Sequence, residues 1–200
     1  DLMMENKSLQ NKLHVVMYHY TRDLAHSRYA KIKGLDISLF REQIIYLKQM
    51  FHIVTMEEVI DAKKGLYDLP ENALLLTFDD GYIDNYIYAL PILEEEKVQG
   101  SFFIPGKTFA EHQLLDVNKI HYILACANQT NLLTDIFEKM NYYRGKEFNF
   151  PDNEDLYAQY GARKGRFDSR EVLFVKAMLQ TVLPENVRNQ ISSDLLKKYV

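Results

Sequence analysis

The sequence contains no tryptophan and a single cysteine, Cys126. One thiol cannot close an internal disulfide. Cys126 lies in the apolar run YILACA, where a buried structural thiol is expected. A cationic surface is also lacking. Lys and Arg number 24 against 28 Asp and Glu, a net charge of −4, which argues against a nucleic-acid binder. No window approaches the roughly 20 apolar residues of a membrane-crossing helix. The start, DLMMENKSLQNK, is polar and has no apolar stretch of signal-peptide length. The sequence as given therefore reads as cytoplasmic, although a processed exported protein would look the same. It shows no internal repeat and no low-complexity tract.

What is present is ordinary globular material. The 200 residues are 47% hydrophobic and 26% charged, enough for one large domain or a domain with an appendage. Tyrosine (14) and phenylalanine (11) are plentiful. Such residues suit carbohydrate-facing clefts, but they serve equally as core and surface filler.

The first half alternates between two periodicities. Residues 13–20, LHVVMYHY, form a β-rich run. A polar loop with Arg22, His26, Arg28 and Lys31 follows. Residues 36–50 carry Leu39, Phe40, Ile44 and Leu47 at helical spacing, with Asp36 or Ser38 as N-cap. The pattern predicts a strand at 51–55 and a short helix at 56–65, with Gly65 just past its end. A third strand ends LLLTFDD. Residues 85–98 are helical in character despite Pro91, and QGSFFIPG (99–106) is a fourth strand. Strand and helix alternating, with crossovers of about 10–15 residues, favours a parallel sheet with both faces covered.

From about residue 117 only helical patterns recur. The stretch 172–183 is apolar over a wide arc (Val172, Val175, Met178, Leu179, Val182, Leu183) and must be buried against something. The expected organisation is an α/β part over 12–110 and a helical insertion or appendage over 111–200.

The motif that carries chemistry is LLLTFDDGY, residues 74–82. Functional groups gather at the C-terminal ends of parallel strands, and Asp79 and Asp80 are placed there. Gly81 lets the chain turn sharply. Two adjacent carboxylates leaving a strand point in different directions. One can bind a cation while the other accepts a proton from what the cation activates. The plainer alternative is that Asp79 caps the next helix and Asp80 is solvated.

Taken with VVMYHY before it and GSFFIPG after it, the motif resembles the polysaccharide deacetylase family (NodB homology, carbohydrate esterase family 4). It is closest to the poly-N-acetylglucosamine deacetylase branch with a Tyr-His strand at the start. The resemblance covers roughly residues 13–106. It implies a partial, distorted (β/α) barrel and a hydrolase that removes acetyl groups from N-acetylated sugars. Asp79 would be the general base, Asp80 a metal ligand, and His19 the acid that protonates the leaving amine. The implied cofactor is a divalent ion, as a rule zinc, and the implied partner is a carbohydrate.

The departures from the family pattern define an alternative. The family's His-x-x-x-His pair is missing: the six histidines are His14, His19, His26, His52, His112 and His121, and no two are four apart. Asp80 is then the only family-type ligand present. Either the remaining strands lie beyond Val200, or the chain is a non-catalytic carbohydrate-binding or interaction protein on a degenerate deacetylase fold. His14 and His52 are expected to be structural, and His112 and His121 are conceivable replacement ligands. The cluster Arg163, Lys164, Arg166 could meet an anionic glycan or lipid phosphate, though a solvated loop explains it as well. An unfinished sheet edge and the apolar face of 172–183, left exposed, would favour a homo-oligomer.

Overall fold

The computed structural model describes residues 12–146, 148–162, 165 and 167–200. The polar N-terminus up to residue 11 and the basic cluster Arg163, Lys164, Arg166 lie outside the described residues. The chain divides into two units. One takes the residues up to Arg28 with Lys33–Glu111, and the other takes Tyr29–Ile32 with His112–Val200.

The first unit is α/β. In chain order it contains β1 (His14–Tyr18), β2 (Thr21–Arg22), β3 (Leu35–Asp36), α1 (Ile37–Met50), β4 (His52–Val54), α2 (Met56–Lys63), β5 (Ala73–Phe78), a π turn (Asn85–Ala89), α3 (Leu90–Glu96), β6 (Ser101–Phe102) and α4 (Gly106–Glu111). β5 is the centre, and all six of its residues are buried. β1 pairs with it in parallel along one edge, from His14↔Leu74 to Tyr18↔Phe78. β4 and β6 share the other edge, β4 on Ala73–Leu75 and β6 on Thr77–Phe78, both parallel. Among the described residues this four-stranded sheet is open and does not close into a barrel.

Side chains alternate across a strand. Leu74, Leu76 and Phe78 therefore face one side, where they meet Phe40 and Ile44 of α1 and Ile92 and Leu93 of α3. Tyr18 is stacked on Phe78 at 5.2 Å and meets Phe40 edge-on at 5.0 Å. At the rim of this layer, Arg41 and Lys48 of α1 pair with Glu95 and Glu96 of α3 at 2.6 and 2.8 Å. The helix boundaries follow local chemistry. Asp36 accepts from Ser38 N–H at the start of α1. Thr55 and Glu58 form a reciprocal capping box on α2. Gly65, at φ 75, takes the left-handed position after α2.

Three expectations change here. The predicted strand at 99–106 shrinks to Ser101–Phe102, because the chain turns into α4 directly after Pro105. The helix over 85–98 is split, with Pro91 in the first turn of α3 and a widened π turn upstream. Arg22 is not in a polar loop: it lies in β2, paired with β3, and is buried.

The second unit is helical: α5 (Asp116–Cys126), α6 (Gln129–Tyr143), α7 (Asn153–Gly161), α8 (Arg170–Ala177), a π turn (Met178–Val182) and α9 (Glu185–Tyr199). Its core takes one face from each helix, including Ile120, Ile123, Leu132, Ile136, Met140, Leu156, Phe174, Ile191 and Leu195. The apolar stretch 172–183 is part of this core. Val172, Val175, Met178, Leu179 and Leu183 are buried, so the face expected to be exposed is covered within its own unit. Cys126 is exposed, not buried. The inward face of α5 runs through Ile120 and Ile123 to Ala127, and Cys126 is turned about 100° away from Ala127.

Lys139 of α6 donates to Asp194 of α9 at 2.6 Å. That bond holds the Asp194 carboxyl below its usual range, helped by Gln190. A carboxyl depressed in the folded state stabilises above its unfolded value of about 4 and loses that contribution as pH falls through the folded value. Both groups are partly exposed, so the contribution is below about 1 kcal/mol. Thermal unfolding followed between neutral pH and strong acid should show a smaller acid-induced drop in Lys139→Ala than in the parent. An equal drop in both would remove this pair from the acid response.

Gly100 tests the sheet layer. A Cβ there would lie 2.5 Å from Phe78 Cε2 and 3.1 Å from Leu93 Cδ1. Both side chains are fully buried and have little freedom to withdraw. Gly100→Ala should cost about 1–3 kcal/mol by overpacking, read as a lowered denaturation midpoint. An unchanged midpoint would mean that the Phe78 ring can shift freely.

Candidate functional site

The pairing of β1 with β5 determines which side chains meet at the strand ends. Tyr18↔Phe78 is the last registered pair, and Asp79 N–H donates to the Tyr18 carbonyl at 2.9 Å. His19 and Asp79 are the next rung of this ladder. By alternation they fall on the face of Met17 and Thr77, opposite the layer of α1 and α3. His19 is exposed and Asp79 half-buried. A cleft of about 460 Å³, lined by Met17, Tyr18, His19, Tyr20, Lys33, Gly34 and Leu35, opens at the end of β1.

Asp80 leaves the strand differently. It takes φ 69, the left-handed region, and Gly81 follows at φ 60. An aspartate tolerates this better than most residues, but it remains uncommon and marks a locally constrained backbone. Gly81 has a second constraint, since a Cβ there would meet Ile104 Cγ2 at 3.1 Å. The left-handed bend separates the two carboxylates. Asp79 continues the strand ladder, while Asp80 swings round and accepts a hydrogen bond from the Tyr82 hydroxyl at 2.5 Å.

Tyr82 is held in turn. Its ring stacks on Tyr20 at 4.2 Å and 20°. Burial, followed by the hydrogen bond to Asp80, pushes its phenol far above the ordinary value. Tyr18, one rung earlier, is raised by burial to about 12. The guanidinium of Arg22 lies 4.8 Å from the centre of the Tyr20 ring. It also pairs with Asp84 at 2.5 Å, with side chains only 8% and 13% exposed. Asp84 opens the turn that leads into Asn85–Ala89. Asn85 is buried, and neither atom of its amide has a hydrogen-bond partner among the described residues.

The other candidate residues are elsewhere. His52 Nδ1 is 2.8 Å from the Glu71 carbonyl, and His14 packs edge-on against Phe51 at 5.1 Å. Both serve the sheet. His112 and His121 belong to the helical unit. Among the described residues, no group of three His, Cys, Asp or Glu side chains converges to hold a metal ion. The donors present therefore do not make up a catalytic zinc site, which needs three protein ligands. Sequence reasoning missed Tyr20, Arg22, Tyr82 and Asp84. The one signal available was the tyrosine directly after the glycine of the motif.

Comparison with known proteins gives the chain's likenesses. Residues 67–142 match the family model described as polysaccharide deacetylase. The poly-β-1,6-N-acetyl-D-glucosamine N-deacetylase of Escherichia coli (strain K12) is 32% identical over 94 residues, covering 46% of this chain and 14% of that protein. The chain thus spans about a seventh of the length of that curated relative. Among solved structures, a de-N-acetylase from Aggregatibacter actinomycetemcomitans is similar at 28% identity, over 52% of this chain and 42% of the other, with a TM-score of 0.43. IcaB from Ammonifex degensii is similar at 34% identity, over 46% and 40%, with a TM-score of 0.38.

Because Asp80 stands alone as a family-type donor, the 200-residue chain should hold zinc weakly. Elemental analysis after dialysis should find well under one zinc per chain. One tightly held zinc per chain would show that donors separate in this structure come together on binding.

Proposed function

We propose that this chain, whose residues 67–142 match the polysaccharide deacetylase family model, forms part of a hydrolase that removes acetyl groups from N-acetylated sugars of a polysaccharide or glycoconjugate. The open parallel sheet would be an arc of a deacetylase-type (β/α) barrel. The observation that carries the reading is the shared rung. The first aspartate of TFDDG follows a fully buried parallel strand, and its N–H bonds to the carbonyl of the residue just before His19 at the end of the neighbouring strand. The relative in Escherichia coli, named for N-deacetylation of a poly-N-acetylglucosamine, supports the choice of substrate class.

The chain's own residues account for the proton transfers. Asp79, as carboxylate, accepts a proton from the water whose oxygen attacks the acetyl carbonyl carbon. As the tetrahedral adduct collapses, the C–N bond breaks and the amine leaves. Imidazole is the side chain able to carry a proton near neutral pH, and His19 delivers it to that nitrogen. The products are acetate and a free amino sugar. The open cleft beside the exposed His19 has room for a sugar ring. The divalent ion implied by the family would need ligands beyond Asp80, so none of these steps is assigned to it.

A second reading is favoured by that incomplete donor set: a carbohydrate-binding or interaction protein on a deacetylase scaffold without turnover. The two readings separate on one assay, acetate release from N-acetylglucosamine oligomers with divalent ion supplied. On the hydrolase reading, His19→Ala lowers kcat by roughly 10²–10⁴ with little change in thermal stability, and Asp79→Asn does likewise. Oligomer binding without acetate release by the whole protein of which this chain is part would establish the second reading. A His19→Ala variant with full activity would remove the acid role.

A further inference from the structure

The residues around Asp80 form a closed circuit. Tyr82 donates to Asp80 Oδ2 at 2.5 Å. The Tyr82 ring is stacked on Tyr20 at 4.2 Å, and the two side chains are hydrogen-bonded. Tyr20 lies under the guanidinium of Arg22, 4.8 Å away. Arg22 pairs with Asp84 at 2.5 Å, and Asp84 is four residues beyond Asp80 on the same loop. The two ends of the circuit are thus joined by backbone. That backbone includes the left-handed Asp80 and Gly81, a conformation that persists only where its surroundings over-determine it.

We propose that the Arg22–Asp84 ion pair and the Tyr20–Tyr82 stack act as one positioning unit that fixes the Asp80 carboxylate, so that Arg22, in a different strand, sets how that carboxylate is presented. The consequence for turnover rests on the deacetylase reading; the structural coupling does not. A buried ion pair is a poor device for stability alone, because a well-packed apolar pair of similar size often serves as well or better. Here it bridges the segment that follows His19 and the segment that follows Asp80. A bare structural clamp would hold those segments without regard to the Asp80 side chain. The stacked tyrosines extend the pair to the carboxylate itself.

The test uses the double variant Arg22→Met/Asp84→Leu, which removes both charges and leaves no buried charge unpaired. The readout is the Tyr82 hydroxyl proton in NMR spectra, assigned by its loss in Tyr82→Phe. In the parent protein, burial and the bond to Asp80 should slow its exchange with water. In the double variant, exchange should rise by roughly tenfold or more while cooperative unfolding is retained. A folded double variant with unchanged exchange would overturn the proposal. If the double variant does not fold, Arg22→Lys decides in the same way, since it keeps the charge and gives up the planar group over Tyr20. With N-acetylglucosamine oligomers, Tyr82→Phe should lower kcat by roughly tenfold with KM within about twofold, and unchanged kinetics would overturn the proposal. Should the whole protein of which this chain is part release no acetate, the deacetylase reading fails, and hydroxyl exchange in this chain still judges the positioning unit.

Discussion

β5 is the constraint on which the rest of the α/β unit depends. A strand with six buried residues has no water to satisfy its backbone, so its N–H and C=O groups must be paired along both edges. β1 supplies one edge, and β4 and β6 divide the other. All three partners run parallel to β5, so their C-terminal ends are presented in one direction. That is why the ends of β1 and β5, distant in sequence, lie side by side. It is also why the ladder continues one bond past each strand end, with Asp79 N–H on the Tyr18 carbonyl and Phe103 N–H on the Phe78 carbonyl. The apolar face of β5 then selects α1 and α3 as its cover.

How much of this was legible in the sequence followed from how local each cause was. Ala73–Phe78 could be read because an unbroken apolar run bounded by turn residues has few other solutions. The start of α1 at Asp36 and the left-handed Gly65 were legible through capping chemistry that acts within a few residues. β2 and β3 were not, since two residues each carry no periodicity. Arg22 looked like a loop cation because its partner, Asp84, comes from a segment far along the chain. Cys126 was misjudged for a geometric reason: an apolar run does not say which of its residues the helix turns inward. The stretch 172–183 was rightly read as needing cover. Its cover came from within its own unit, from Val187, Ile191 and Leu195 of α9 among others.

The motif itself posed a problem of charge, two adjacent carboxylates where a buried strand ends. The structure resolves it by backbone geometry before any cation is invoked. The Asp79 backbone stays in the ladder, whereas Asp80 leaves it at a left-handed φ. Tyr82 then gives Asp80 a strong donor. Charge-assisted hydrogen bonds of this kind are roughly twice as strong as neutral ones, so the Tyr82 hydroxyl fixes the direction in which the Asp80 side chain points.

Local rules are broken repeatedly within a few residues of this turn. A non-glycine residue has positive φ, an ion pair is buried, a π turn replaces α geometry, and Asn85 is buried with no hydrogen-bond partner among the described residues. Each is unfavourable taken alone. A buried amide without partners costs about 1–3 kcal/mol, and a strained backbone residue about as much again. In the second unit α6, α7 and α8 carry side-chain N-caps, and its helices share one core with ion pairs at its surface. Their departures are fewer and more scattered: a π turn after α8 and the unpartnered Ser192 hydroxyl inside α9. Left-handed non-glycine residues also occur at Asn72, Lys97 and His112, but several such departures meeting at one turn is the pattern expected of a functional site. The concentration of these features between Arg22 and Asn85 therefore points to the strand-end turn, independently of the motif that names it.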